Sequence, residues 1–340
     1  MLNKFRTSQK TCLGVDIGSY SLKVVEASLG QEQINLTKVA IRELPPEYTE
    51  NNIATIFKDL AEEGGFQAHD VRLSLSGPNV TVRFINMPHM SLQDLKNSLK
   101  YEADQYIPFN IDEVVTDCCI LSKANENEKQ MRVLLAAAKK NIVNRRIDLF
   151  KGLGYSVRLI DVDGFALFNC FSRVAESDVE KSISLVNIGH RYTNVIVARG
   201  GSPYFSRDIR MGGEEILKIM ADQSGISEKE VKQAMSGQGE KDEKVTEIIK
   251  GVLNNLAEEI RLSFGYYENQ FGRSVDQIFL SGGWAEEKTI APHFAETLGI
   301  TPILWDPLKG ATLGDGVDKD RVEPMRASLA VCCGLVARKA

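Results

Sequence analysis

Leu13–Ala27 reads LGVDIGSYSLKVVEA, and Ser184–Ala198, 171 residues further on, reads SLVNIGHRYTNVIVA. Laid over one another they share Val15/Val186, Ile17/Ile188, Gly18/Gly189 and Ala27/Ala198, and each reads as strand, tight turn, strand. Five identities in fifteen positions, counting Val24/Val195, would also suit two unrelated buried hairpins. The polar residue heading both turns, Asp16 in one and Asn187 in the other, favours a duplication at about half the chain length. A chain of 340 residues, 43% hydrophobic and 26% charged, exceeds the usual capacity of one compact domain, so two lobes are expected.

Working outward from the first copy, alternation over Ile34 to Ile41 predicts a third strand, and Ile53, Ile56, Phe57 and Leu60 are spaced as one helix face within Asn52 to Glu63. Gly64-Gly65 ends that helix, and Val71 to Leu75 is a further strand before the breaker Gly77-Pro78. The β-β-β-α-β order implies a mixed sheet with one crossover helix. From Asn79 the texture changes. Val80 to Ile85 is extended. Ser91-Leu92-Gln93-Asp94 resembles a capping box opening a helix to about Tyr106, with Leu92, Leu95, Leu99, Ala103 and Tyr106 on its apolar face. Strands at Val114–Leu121 and Arg132–Ala138, a polar turn at Asn125–Lys129 and a helix near Ile142–Leu153 complete a βαββα block. It is expected to be an inserted subdomain over residues 78–154, leaving 1–77 and 155–182 as the first lobe.

The second lobe, 183–340, continues from its hairpin through Pro203–Ile209 into a helical section, about 210–275, that opens near Gly212-Gly213-Glu214. Ile249, Val252, Leu253, Leu256, Ile260, Phe264 and Tyr267 lie at helical spacing and predict a long core helix, after a linker-like Ser236–Lys244. Ile278–Leu280 is a short strand turning at Ser281-Gly282-Gly283 into a helix from about Glu286 to Leu298. Ala327–Arg338 is a final apolar helix.

Composition closes several functional classes. A net charge of −5 leaves no global basic field for nucleic acid. The longest nearly apolar run, Ala327–Ala337, is far short of the ~20 residues that span a bilayer, and MLNKFRTSQKT has no apolar leader stretch, so a soluble chain without membrane insertion is expected. Cys12 and Cys170 stand alone, Cys118-Cys119 and Cys332-Cys333 are adjacent pairs without C-x-x-C spacing, and His69, His89, His190 and His293 are scattered. Neither a zinc site nor a local Ser/His/Asp triad can be assembled, and reduced cysteines in a cytoplasmic setting are expected.

A polyphosphate needs clustered backbone N–H donors, room for its oxygens, positive charge and acceptors for the waters of Mg²⁺. Asp16-Ile17-Gly18-Ser19 followed by Lys23 supplies each of these, although D-x-G alone is more often an ordinary hairpin turn. Asn187, Gly189 and Thr193 supply a second, less charged set. There His190 and Arg191 add bulk where a phosphate turn commonly keeps small residues, and Arg191 is either a phosphate contact or a solvated turn residue. Ser281-Gly282-Gly283 could let a purine and ribose lie against main chain, or be a strand-to-helix turn with no ligand. No G-x-x-x-x-G-K-[ST] loop is present, so a nucleoside triphosphate would have to be held between the two lobes.

The order of these motifs, closed by an apolar terminal helix with Gly334, Leu335 and Arg338, resembles the superfamily of actin, heat-shock chaperones and sugar kinases. Within it, LQDLKNSLKYEADQYIPFNIDEVVTDCCIL (Leu92–Leu121), LIDVDGFA (Leu159–Ala166) and Ile260–Tyr267 resemble the PilM family of type IV pilus assembly proteins, relatives of the division protein FtsA. Gln-Tyr-Ile-Pro-Phe at 105–109 is the most family-specific piece. The resemblance implies an α/β, actin-like two-lobe fold of duplicated RNase H-like domains with an FtsA/PilM-type insertion, and ATP or ADP with Mg²⁺ as ligands. By motif it makes Asp16, Gly18, Ser19, Ser21 and Lys23 the first phosphate set and Asn187, Gly189 and Thr193 the second. Ser281, Gly282 and Gly283 become the adenosine turn, and Gly213 and Glu214 the helix start beside the nucleoside. Asp16 and Asp163 would reach the metal through water.

The same resemblance implies a cytoplasmic protein at the inner face of the inner membrane. It would bind the N-terminal peptide of a PilN-like membrane protein in a groove rimmed by Tyr106 and Phe109, and work with other pilus assembly components. Because relatives commonly carry an acidic residue where Asn187 stands, ATP hydrolysis is expected to be weak or absent. An FtsA-like division or cytoskeletal protein is the structural alternative, although that family usually continues into a linker and an amphipathic membrane helix where Val336–Ala340 stands here. A small-molecule kinase is the enzymatic one, and no motif for its catalytic base or substrate pocket is evident.

Overall fold

The computed structural model describes residues 11–29, 34–122, 130–174, 178–236 and 243–338. The polar turn expected at Asn125–Lys129 and most of the linker-like Ser236–Lys244 stretch lie outside them.

Two sheets with one strand order make the frame. In the first lobe β1 (Thr11–Ile17), β2 (Ser21–Leu29) and β3 (Ile34–Glu43) form an antiparallel meander, and α1 (Glu50–Gly64) crosses to β4 (Asp70–Leu75), parallel to β1. The Thr49/Asn52 capping box starts α1, and Gly65 at φ +58° ends it. There follow β5 (Val80–Pro88), α2 (Leu92–Glu102), β6 (Val114–Ser122), β7 (Gln130–Lys139) and α3 (Lys140–Gly152), before β8 (Ser156–Val162) pairs parallel to β4. Helix α4 (Asp163–Val174) leads to the second lobe, where β9 (Ile183–Ile188), β10 (Thr193–Arg199) and β11 (Ser202–Ile209) repeat the meander. Then come α5 (Gly213–Ser224), α6 (Glu228–Met235), α7 (Glu243–Phe271), β12 (Gln277–Ser281), α8 (Ile290–Leu298) and β13 (Ile303–Leu304). The chain closes with β14 (Thr312–Leu313), α9 (Lys319–Val322) and α10 (Ala330–Ala337). The sheets run β14-β3-β2-β1-β4-β8 and β11-β10-β9-β12-β13. Apart from β14 the two orders are equivalent strand for strand, with the duplicated hairpins at the centre of each.

A shared apolar layer lies between the sheets. Helices α4 and α10 fill it, burying Phe171, Cys170, Leu335 and Val336 against Val25 and Ala27 of the first sheet and Leu185 and Ile196 of the second. Their backbones touch. A Cβ on Gly334 would sit 1.7 Å from the Ala166 carbonyl oxygen, so only glycine fits that crossing. Arg72 on β4 donates to the carbonyls of Leu335, Val336 and Arg338, satisfying acceptors that the end of α10 leaves without helical partners. The outer faces are covered by α1 and α3 on the first sheet and by α5, α7 and α8 on the second.

Several sequence boundaries shift. The chain from Thr312 onward, placed with the second lobe from sequence, adds β14 to the first-lobe sheet and packs α10 between α4 and β1. Within 78–154, β5-β7-β6 forms a separate sheet under α2, while α3 returns to the first lobe, where Phe150 packs edge-on against Phe57 and Arg146 pairs with Glu50 at 2.7 Å. Leu92 is 46% exposed rather than facing the core, because it is the first residue of α2 and the Ser91 cap turns the chain outward there. Helix α8 begins at Ile290, four residues after the expected start. The last helix is a 3₁₀ segment over Glu323–Leu329 running into α10.

Candidate functional site

The β1–β2 register places Asp16 directly opposite Lys23, and the Lys23 Nζ lies 2.7 Å from Asp16 Oδ2 with both side chains nearly buried. Burial opposes the Lys23 charge, but the Asp16 carboxylate outweighs it and holds the ammonium above its ordinary value. In the second lobe the same register sets Asn187 opposite Asn194, with Asn187 Nδ2 donating to Asn194 Oδ1 at 2.9 Å. The turns are closed by equivalent backbone bonds: Gly18 N–H donates to Ser21 O at 3.1 Å and Gly189 N–H to Tyr192 O at 3.0 Å. A Cβ on Gly189 would lie 2.8 Å from that acceptor, so this closure needs a residue without a side chain. The duplication read from sequence is therefore a repeated hydrogen-bond geometry.

The third element enters beside the second hairpin. Ser281, at the end of β12, pairs with Asn187 in the parallel ladder and donates to its Oδ1 at 3.3 Å. Gly282 follows at φ +97°, in backbone contact with Ile188, and its N–H donates to Ala327 O at 2.8 Å. The three turns open on one cavity of about 740 Å³, lined by Asp16, Gly18, Ser19, Ser21 and Lys23 from the first lobe and by Asn187, Gly189, Gly282 and Gly283 from the second. Asp163, at the start of α4, lies on its wall, and burial followed by the Asp16 charge pushes its carboxyl up to about 7.

The other residues singled out from sequence stand elsewhere. Thr193 is fully buried and donates to Met211 O at 2.8 Å; it braces the hairpin and does not face the cavity. Gly213 does not line the cavity but makes room for the Trp284 indole, which does. Glu214 pairs with Arg191, Nε to Oε2 at 2.9 Å, a hydrogen bond that holds the carboxyl below its ordinary value and the guanidinium above. Arg191 itself lines the cavity. Tyr106 and Phe109 are half-buried against the core of the inserted sheet, with Lys139 Nζ 5.2 Å from the Phe109 ring centre, and stand apart from the cavity.

Sequence reasoning missed the residues that tie the turns together. Asn194 Nδ2 donates to Asp208 Oδ1 at 2.8 Å, and Asp208 Oδ2 accepts from Gly77 N–H of the first lobe at 2.7 Å, so one carboxylate on β11 spans the lobes. Asn194 could have been found as the 171-residue counterpart of Lys23; Asp208 has no such signal. Arg146, Lys232 and Arg321 bring further positive charge to the cavity, and Tyr48 donates to Gly18 O at 3.2 Å. Among the described residues no cluster of three or more His, Cys, Asp or Glu could hold a metal alone. Asp16 and Asp163, on a lining that mixes five Lys/Arg with Glu43, Glu286 and Glu287, instead fit a magnesium ion that takes most of its ligands from phosphates and water.

A family model described as type IV pilus assembly protein PilM matches residues 14–340. The chain belongs to the PilM family. Among solved structures, a chain of a structure described as the PilM-PilN type IV pilus biogenesis complex is similar with a TM-score of 0.83 and 27% identity, covering 96% of this chain and 97% of that one. The ethanolamine utilization protein EutJ from Carboxydothermus hydrogenoformans is similar with a TM-score of 0.55 and 12% identity, over 96% of this chain and 89% of that one. A Bacteroides thetaiotaomicron protein with an actin-like ATPase fold and unknown function reaches 0.53 and 10%, over 89% and 94%. The last two share the fold alone. The actin-like architecture and the PilM family inferred from sequence are both borne out.

Proposed function

We propose that this PilM-family chain is a nucleotide-binding adaptor of type IV pilus assembly, holding ATP or ADP with Mg²⁺ between its lobes and docking the N-terminal cytoplasmic segment of a PilN-like membrane protein. The observation that carries the nucleotide part is the convergence of Gly18, Gly189 and Gly282 on one cavity together with Lys23 and the Asp16/Asp163 pair. Backbone N–H groups and Lys23 would take the phosphates. Asp16 and Asp163 would hold waters of the metal, which supplies charge neutralisation when bound. The Gly282-Gly283 turn would receive the nucleoside.

The second hairpin offers amides where a water-activating carboxylate would be needed. Asn187 has its oxygen engaged by Ser281 and its nitrogen by Asn194, so nucleotide acts chiefly as an interlobe brace, stabilising the closed form by mass action. The partner reading rests on family membership and on the similarity to the PilM-PilN complex. On this reading the protein would work at the cytoplasmic face of the inner membrane. Among the described residues no helix is long and apolar enough to cross a membrane. Calorimetric titration with a non-hydrolysable ATP analogue and Mg²⁺ should give saturable binding at one site, and a flat titration overturns the nucleotide reading. Titration with a synthetic PilN N-terminal peptide tests the adaptor reading in the same way.

A further inference from the structure

The two turns do more than face each other: they touch. Tyr20, from the β1–β2 turn, and His190, from the β9–β10 turn, lie with ring centroids 5.1 Å apart at a tilt of 51°. Both line the cavity, and Tyr20 is 43% exposed.

Each turn is fastened to its own lobe. Tyr20 Oη donates to Glu43 on β3 at 2.5 Å, and Tyr20 O accepts from Leu44 N–H at 2.8 Å. On the other side, His190 O accepts from Glu214 N–H at 2.8 Å and Gly189 O from Gly213 N–H at 3.0 Å, pinning the turn to the start of α5. Neither turn can follow the opposite lobe, so any parting of the lobes separates the rings. The pair also breaks the repeat. At the 171-residue offset Ser19 and Tyr20 stand over His190 and Arg191, so each lobe contributes its ring from a different turn position, and the two interlock side by side instead of colliding.

We propose that Tyr20 and His190 form a gate over the phosphate end of the cleft, closing with the lobes to retain bound nucleotide and to exclude water and phosphoryl acceptors from its terminal phosphate. The proposal rests on the nucleotide reading above and names residues that decide what that site admits. Excluding water from a closed site prevents hydrolytic side reactions, and gates of this kind commonly set release rates. A second substrate, such as a sugar hydroxyl, would have to displace the rings to reach the phosphate. The residues act by position; neither takes part in a chemical step.

The test is stopped-flow release of a fluorescent ATP analogue from the full chain with Mg²⁺, comparing the parent with Tyr20→Ser, His190→Gly and the double variant. Removing either ring should speed release about five- to tenfold, in line with the free energy of one aromatic pair. The double variant should be no faster than the quicker single one, because the contact is already gone. Tyr20→Phe, which keeps the ring and loses only the Glu43 hydrogen bond, should stay within about twofold of the parent. Unchanged release in the single variants, or effects that multiply in the double, would overturn the gate while leaving the nucleotide site standing. A parent protein that binds no analogue would overturn both.

Discussion

In the first hairpin the ladder position below the turn holds Asp16 opposite Lys23, 2.7 Å apart; in the second the same position holds Asn187 opposite Asn194, 2.9 Å apart. The backbone register, the turn-closing hydrogen bond and the neighbouring parallel strand are the same in both lobes. What differs is where the polar atoms lead. The first pair is a nearly buried ion pair that ends at the cavity. The second is an amide relay that continues through Asp208 to the backbone of Gly77 in the other lobe. The repeat keeps one shape with two polar contents: the first hairpin carries an ion pair at the cavity, the second a strut between the lobes.

The largest effect is expected at the charged copy. Lys23→Met would leave Asp16 nearly buried, beside Asp163, with its cation gone. Breaking a buried pair from one side costs roughly 3–5 kcal/mol, so chemical denaturation should show a loss of that order, and affinity for a triphosphate should fall at least a hundredfold. A stable variant with parental affinity would mean the ion pair serves neither purpose. At the amide copy, Asp208→Ala orphans the Gly77 N–H and the Asn194 amide. At about 1–3 kcal/mol for a buried unsatisfied donor, offset in part by water, the expected loss is about 2–3 kcal/mol. Nucleotide affinity should fall less than for Lys23→Met. A greater loss of binding here than at Lys23 would reverse that contrast.

Sequence periodicity disclosed most of the frame because each central strand is buried and each turn has a glycine at a fixed offset. That is why the hairpins, α7 and the Gly282 turn were legible from Gly18, Gly189 and the Ile249–Tyr267 pattern. What stayed hidden was whatever depends on tertiary direction. Thr193 looked equivalent to a phosphate-facing hydroxyl, yet its hydroxyl donates to Met211 O inside the lobe. Helix α10 is apolar all round, so no face betrays which lobe it joins, and only the contacts of Gly334 and Arg72 decide it. Asp208 sits in a strand without a regular alternation, and its partners are 14 and 131 residues away.

A smaller, pH-dependent effect probes the excess negative charge on the first-lobe side. Asp163, raised from 3.8 to about 7, binds its proton more tightly folded than unfolded. Its contribution is therefore fully present below about pH 4 and is lost as pH rises through about 7. Asp163→Asn should relieve the ionised form. In the absence of nucleotide and Mg²⁺ the variant should be more stable than the parent at pH 8, with the gap closing toward pH 4. Melting curves at pH 8, 6 and 4.5 would check the trend. An advantage independent of pH would assign it to packing.

The most direct way to erase the difference between the hairpins is Asn187→Asp. The exchange keeps an acceptor for Ser281 Oγ but leaves the buried Asn194 Oδ1 without its donor, so the fold should lose about 1–3 kcal/mol. Without Mg²⁺, a carboxylate facing the phosphates should weaken nucleotide binding by charge repulsion; with Mg²⁺ present the loss should shrink to within about threefold, since the ion offsets the added charge. Chemically the change supplies what the amide lacks, an acceptor basic enough to orient and partly deprotonate a water. Positioned general bases contribute typically 10²–10⁴-fold, so even a poorly aligned one should raise phosphate release about tenfold over the parent. If the variant binds nucleotide with Mg²⁺ and still hydrolyses no faster, the missing carboxylate is not what limits the site. The closed ring contact between Tyr20 and His190 then becomes the stronger candidate, and combining Asn187→Asp with His190→Gly would separate the two: faster turnover only in the combination would locate the limit in water access and not in the base.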